Sequence, residues 1–234
     1  MTKTAQTLLP PKHILMVGNS PKFVDQMQTL FPQAKLTILS WRNLDKKAAL
    51  STTDGKYDLV LICGYDYQSH YLHYEEYLAR NVSAPIKALL PLIEKQIPML
   101  YVDTLDSAKR ATYSRYLYAK KLLGQSLHDA GAQLITLRIP SMTDAQGNMD
   151  IVGGWFTKRL FRFLHQAGVV KTIDPQELGK RLVDALSQST SSDSALSKLT
   201  TSPNGAAANG VPIGKGLQWP RPLIIDRALR MICG

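Results

Sequence analysis

Cysteine is scarce in this chain: 234 residues include two, Cys63 within an apolar run and Cys233 beside the C-terminus. Two thiols so placed form neither a disulfide framework nor a metal-ligand spacing, and they fit a reducing cytoplasm. No apolar run approaches the roughly 18–20 residues that cross a bilayer. The opening MTKTAQTLLPPKHILMVG has only a short apolar stretch broken by two prolines and no small-residue cleavage site, so a secretory signal is not expected. Acidic residues are also in deficit. Lys and Arg number 28 against 18 Asp and Glu, a net charge of +10 that suits phosphates, nucleic acid or an anionic surface. No nucleic-acid-binding module is recognisable, so nucleic acid is not an expected partner.

What is present is apolar material for a core, 44% of residues, arranged in a regular alternation. HILMVG (13–18), KLTILS (35–40), DLVLICG (58–64), MLYVDT (99–104) and LITLRI (134–139) are nearly continuous apolar runs of strand length. Strands buried on both faces of a parallel sheet read this way. Helical patterns separate them at Lys22–Phe31, Tyr74–Lys95 and Ser107–Ala130, with Pro85 and Pro91 expected to bend or divide the second. The expectation is an α/β, Rossmann-like, doubly wound parallel sheet with helices on both faces. Past Pro140 come a basic amphipathic helix over Gly153–Ala167, with Trp155, Leu160, Phe161 and Leu164 on its apolar side, and a helix over Asp174–Leu186. The second opens with Asp174 as N-cap, Pro175 at the first helical position and Glu177 in the first turn. The chain thus divides into a domain over 1–186, a linker or loop of Ser, Thr, Ala, Asn and Gly over 187–216, and a small C-terminal apolar and basic appendage over 217–234. For the appendage, docking onto the domain is favoured over membrane-surface contact.

Three motifs carry chemistry. The first strand runs into Gly18-Asn19-Ser20 and then a helix, where a glycine lets backbone N–H groups approach a pyrophosphate. The glycines of a full fingerprint would fall three and six residues later, at positions held by Pro21 and Val24. The second strand ends in Ser40-Trp41-Arg42-Asn43, with no acidic residue before Asp45 to bind ribose hydroxyls, so Arg42 tilts the choice towards NADP over NAD. Tyr116 and Lys120 are four apart on a helix and share a face. A cation held beside a phenol lowers its pKa and makes it a usable general acid or base. A hydroxyl from the preceding Asp103-Thr104 could bind the substrate oxygen.

In their order, these pieces resemble the short-chain dehydrogenase/reductase superfamily, in particular its NAD(P)-dependent epimerase/dehydratase branch acting on nucleotide sugars. The resemblance covers about residues 12–186 and rests on Val17-Gly18, DLVLICG, EYLARNV (76–82), YVDT, YLYAKKLLGQ, LITLRIPSM and TIDPQELGKRLVDAL. It implies that Tyr116 is the acid/base, that Lys120 lowers its pKa and binds the nicotinamide ribose, and that Thr104 holds the substrate oxygen. Asn81 would be a structural or relay residue, and Gly18, Asn19, Ser20 and Gly64 would line the cofactor. It further implies a homodimer through the helices at 74–95 and 107–130. The stretch from Arg42 to Asp58 is too short for the usual second helix, third strand and third helix, so the sheet is expected to lack that strand.

Other sites have simpler readings. His70 and His73, with Glu75 and Glu76, lack a convincing third ligand, so no metal is expected and the segment reads as an exposed aromatic loop. Lys158, Arg159 and Arg162 read as a solvated face. The function expected is hydride transfer at a carbinol or carbonyl carbon of a small molecule, a nucleotide sugar being the favoured substrate. The alternative is a non-catalytic Rossmann-like ligand-binding or assembly protein with a degenerate cofactor site.

Overall fold

The computed structural model describes residues 10–44, 57–104, 114–144, 146–148, 155–168 and 171–191. Five strands, β1 (His13–Val17), β2 (Lys35–Leu39), β3 (Leu59–Ile62), β4 (Met99–Thr104) and β5 (Leu134–Ile139), form one sheet in the order β2-β1-β3-β4-β5. Every pairing is parallel. The expected α/β doubly wound sheet is therefore observed, with β1 inside it. The fully apolar runs belong to β1, β3 and β4, whose residues are almost all buried, whereas β2 and β5, the edges among the described residues, are only half-buried. An edge strand is covered by fewer neighbours, so its apolar run is not evidence of burial on both faces.

Alternate residues of each strand feed two cores. On one side Ile14, Met16, Leu59, Leu61, Leu100 and Val102 meet Phe23 and Met27 of α1 (Pro21–Leu30) together with Leu178 and Leu182 of the last described helix. On the other, Leu15, Val17, Val60, Ile62, Met99 and Tyr101 meet residues from the helices that precede and follow β4. The helix read over Tyr74–Lys95 is divided into α2 (Tyr74–Leu78), a π turn at Ala79–Ser83 and α3 (Ala84–Glu94). The wide turn comes immediately before Pro85, whose ring cannot supply the N–H that a regular ladder needs. Pro91 sits inside α3.

After β4, the described part of the next helix, α4, runs from Arg115 to Asp129, with the Ser114 hydroxyl accepting the Leu117 N–H at 3.3 Å as its cap. The expected start at Ser107 falls partly in residues 105–113, outside the described set. β6 (Ser141–Met142) pairs in parallel with β7 (Thr172–Ile173). Between them lies α5 (Trp155–Gln166), where Trp155 is 72% exposed with the Arg159 guanidinium 5.4 Å from its ring centroid. The last helix, α6 (Pro175–Ser191), opens as expected, the Asp174 carboxylate accepting the Glu177 N–H at 2.8 Å. It continues past Leu186 into the stretch read as a linker, because the Arg181–Glu177 pair and the apolar packing on β5 and α1 already hold its first turns in place. Residues 192–234, including the rest of that linker, the C-terminal appendage and Cys233, lie outside the described set. No helix among the described residues is long and apolar enough to cross a membrane.

Candidate active site

Strand order reverses between β1 and β3, since the chain leaves β1 for β2 on one side and returns to β3 on the other. Open α/β sheets bind ligands at the carboxyl ends of the strands at such a switch point. The crevice is built from two glycines. The Cys63 and Gly64 N–H groups both donate to the Val17 carbonyl at 3.0 Å, which brings the ends of β1 and β3 together. Gly18 has φ +120°, and a Cβ there would lie 2.5 Å from the Gly64 nitrogen, so no other residue fits this turn. Asn19 and Ser20 come next in the chain. Ser20 is the N-cap of α1 without a side-chain cap bond, and the first turn carries no acidic residue, an arrangement open to an anion.

Lys120 reaches this crevice from α4. Its Nζ donates to the Gly64 carbonyl at 3.3 Å and the Val102 carbonyl at 3.1 Å, and it lies 5.2 Å from the Tyr101 ring centroid. Burial lowers its pKa from 10.5 to about 8, partly opposed by Cys63 and Asp103. Burial also pushes the Cys63 thiol up to about 12, with the Lys120 charge acting the other way. Tyr116 stands one turn earlier on α4, half-buried, its ring edge-on to Tyr65 with centroids 4.8 Å apart and nearly parallel to Tyr67 at 5.9 Å. The Thr104 hydroxyl, at the end of β4, is buried with no hydrogen-bond partner among the described residues. Tyr116, Lys120, Thr104, Gly18 and Gly64 are thus placed around the same ends of β1, β3 and β4.

Asn81 lies in the π turn, which packs against α4, with its side chain buried. It accepts the Asp66 N–H at 2.9 Å and donates to Ser69 Oγ at 2.6 Å and the Tyr77 carbonyl at 3.0 Å, tying the segment after β3 to the helix. The segment read as an exposed loop is instead a short 3₁₀ turn, Tyr67–Tyr71, in which Ser69 and His70 are buried and Tyr67 and Tyr71 exposed. Asn81 closes it from one side and Arg115 from the other. His70 Nε2 lies 2.8 Å from the Tyr65 hydroxyl, and no group of metal-binding side chains occurs among the described residues.

Arg42 does not stand alone. Its Nε is 3.5 Å from Asp66 Oδ1, and Arg80, itself paired with Glu76, lies 3.5 Å from Asp66 Oδ2. A phosphate arriving at Arg42 has to compete with a buried carboxylate.

Sequence reasoning missed Asp66, Arg115 and the cavity beside α1. Arg115 is fully buried, donating to the Leu72 carbonyl at 2.9 Å and lying 4.9 Å from the Tyr77 ring centroid, while the Tyr77 hydroxyl donates to the Arg115 carbonyl. An Arg preceding the Tyr-x-x-x-Lys pair gives no periodic signal, since its burial depends on a turn contributed from elsewhere in the chain. Arg115→Met keeps the volume but strands the carbonyls, and urea unfolding should show a loss of about 2–4 kcal/mol. The cavity, about 300 Å³, lies between α1, β6, β7 and the start of α6, and Lys22, Asp25, Met142, Asp144, Asp174 and Leu178 are in its lining. It includes none of the residues read as the site.

No protein-family model matches the chain, and no curated protein matches it in sequence. Solved structures do match in fold. An ADP-L-glycero-D-manno-heptose-6-epimerase from Helicobacter pylori aligns at TM-score 0.55 and 12% identity, over 77% of this chain and 75% of that one. A dTDP-4-dehydrorhamnose reductase from Clostridium acetobutylicum aligns at 0.54 and 12%, over 76% and 71%. The corresponding reductase from Bacillus anthracis, solved with NADP, aligns at 0.52 and 9%, over 75% and 70%. The chain has the fold of these enzymes. At such identities the likeness extends to the Rossmann-like framework and not to any activity.

Proposed function

We propose that the protein is an NAD(P)-dependent oxidoreductase or epimerase acting at a carbinol or carbonyl carbon, with a nucleotide sugar as the favoured substrate. The observation that carries this reading is the buried Lys120, held at the ends of β3 and β4 beside the switch point, with Tyr116 one helical turn away. The framework is shared with an epimerase and with a reductase solved with NADP. Gly18, Asn19 and Ser20 suit a pyrophosphate at the start of α1, since backbone N–H groups and the helix dipole face it there. The bound dinucleotide would supply or accept the hydride.

The remaining work falls to this chain. Tyr116 Oη gives a proton to the substrate oxygen in reduction and takes it back in oxidation. Lys120 has three N–H donors, two of them accepted by the Gly64 and Val102 carbonyls, and its charge stabilises the phenolate formed when Tyr116 gives up its proton. Thr104 Oγ1, buried and without a hydrogen-bond partner among the described residues, can bond the same substrate oxygen. A second reading, a non-catalytic Rossmann-like protein, is favoured by the packing of Trp41 on Gly64.

Native mass spectrometry and calorimetry with NAD, NADH, NADP and NADPH, followed by a turnover assay on nucleotide sugars, test the proposal. Binding of a dinucleotide with turnover supports it; binding without any turnover favours the second reading. NADP should bind more tightly than NAD, at the low end of the ~1–3 kcal/mol typical of charge-assisted contacts because Asp66 competes for Arg42. Arg42→Ala should erase the difference, and equal affinities in the unaltered protein would refute the role given to Arg42.

A further inference from the structure

Beside the switch point, at the end of β3, a ring packs against the backbone. Trp41, in the short 3₁₀ turn after β2 (Trp41–Asn43), is 7% exposed, and its indole lies against Gly64. A Cβ on Gly64 would overlap Trp41 Cε3 and lie 2.8 Å from Cδ2, and it would be 3.0 Å from the Gly18 Cα. An aromatic side chain of this chain thus packs directly on the glycine at the end of β3, at the carboxyl edge of the sheet where α/β folds bind ligands. The rest of the turn is tied down on the same side by Arg42, 3.5 Å from Asp66.

Trp41 belongs to the apolar core on the sheet face that meets α3 and α4, yet its polar atom is not satisfied there. Its indole Nε1 is buried with no hydrogen-bond partner among the described residues, although buried polar groups in native cores are nearly always paired. Among the described residues, this packing leaves the indole donor unsatisfied. Arg42 is itself more than half exposed, so the ion pair that anchors the turn is open to competition.

We infer that Trp41 is an internal occupant of the dinucleotide crevice, so that the nucleotide end of a dinucleotide binds only after the indole has left Gly64. This rests on the proposed function and deepens it. Affinity is then reduced by the fraction of molecules whose crevice is open. Displacement of Trp41 couples cofactor binding to the Arg42–Asp66 pair, because Trp41 and Arg42 belong to the same short turn.

The test tracks Trp41 directly. In a protein carrying Trp155→Phe and Trp219→Phe, Trp41 is the one remaining indole, and its acrylamide quenching is measured with and without saturating NADP⁺, which does not absorb at the emission wavelength. Quenching should be weak without nucleotide and rise severalfold with it. In parallel, Trp41→Ala should tighten NADP⁺ binding by about tenfold or more, the factor expected if a tenth or less of molecules are open. The inference is overturned if NADP⁺ binds the parent protein while Trp41 quenching stays unchanged. The quenching arm stands even if Trp41→Ala does not fold. Failure of both the parent and a folded Trp41→Ala protein to bind NADP⁺ or NAD⁺ overturns the inference and the proposed function together. Tighter binding by Trp41→Ala without turnover on any nucleotide sugar would leave the inference standing and count against the enzyme reading alone.

Discussion

Tyr116→Phe should leave folding and dinucleotide binding almost unchanged while turnover falls by roughly 10²-fold or more, the usual scale for losing an acid/base group. The substitution removes one oxygen from a ring that packs edge-on to Tyr65 and parallel to Tyr67, and those ring contacts survive in phenylalanine. A structural Tyr116 would give the reverse pattern, with the unfolding midpoint shifted and turnover retained. Rate and urea stability measured on the same preparation separate the two outcomes. Loss of stability with full activity would remove Tyr116 from the mechanism.

Lys120→Met should abolish turnover to a similar extent, and it should also change how stability depends on pH. Lys120 titrates near 8 in the folded protein and at 10.5 when free, because burial disfavours its charge. Below pH 8 the group is protonated in both states and its burial penalty is fully present. Between about 8 and 10.5 the unfolded chain holds a proton that the folded chain does not, so stability rises with pH. Cys63 acts in the opposite direction: its thiol is raised from 9.0 to about 12, so the unfolded chain ionises first and stability falls through that window. The unaltered protein should therefore gain on the order of 1 kcal/mol between pH 8 and 9, level off as the two effects oppose each other, and fall above pH 10.0, where the Tyr74 and Tyr101 phenols, also raised by desolvation, add to the Cys63 effect. In Lys120→Met the rise should be absent and only the fall above pH 9 remain. An unchanged pH profile would mean that Lys120 is solvated in solution.

Much of this molecule was legible from residue order. The runs at 13–18, 58–64 and 99–104 are too continuously apolar for anything but interior strands, and the helical patterns between them demand parallel crossovers. Asp174, Pro175 and Glu177 marked the start of α6, because a cap is local chemistry that needs no tertiary partner. The four-residue spacing of Tyr116 and Lys120 likewise made them neighbours on one helix face before any fold was known.

Tertiary structure alone decided how those residues are engaged. Lys120 is turned onto the carbonyls of Gly64 and Val102, which come from two different segments of the sheet. Arg42 looked like a free cation at a strand end, but Asp66, brought up beside it by the β1–β3 crossing, pairs with it. Asn81 is committed to holding the turn after β3, and Arg115 is buried under that turn. Trp41 shows the same limit. As a sequence it is an aromatic residue after a strand, and only the fold brings its indole against Gly64 at the end of β3. Periodicity, caps and helical spacing are set within a few neighbouring residues, so the chain carries them openly. Ion pairs and ring packing across strands form only when distant segments meet, so they appear only in the folded molecule.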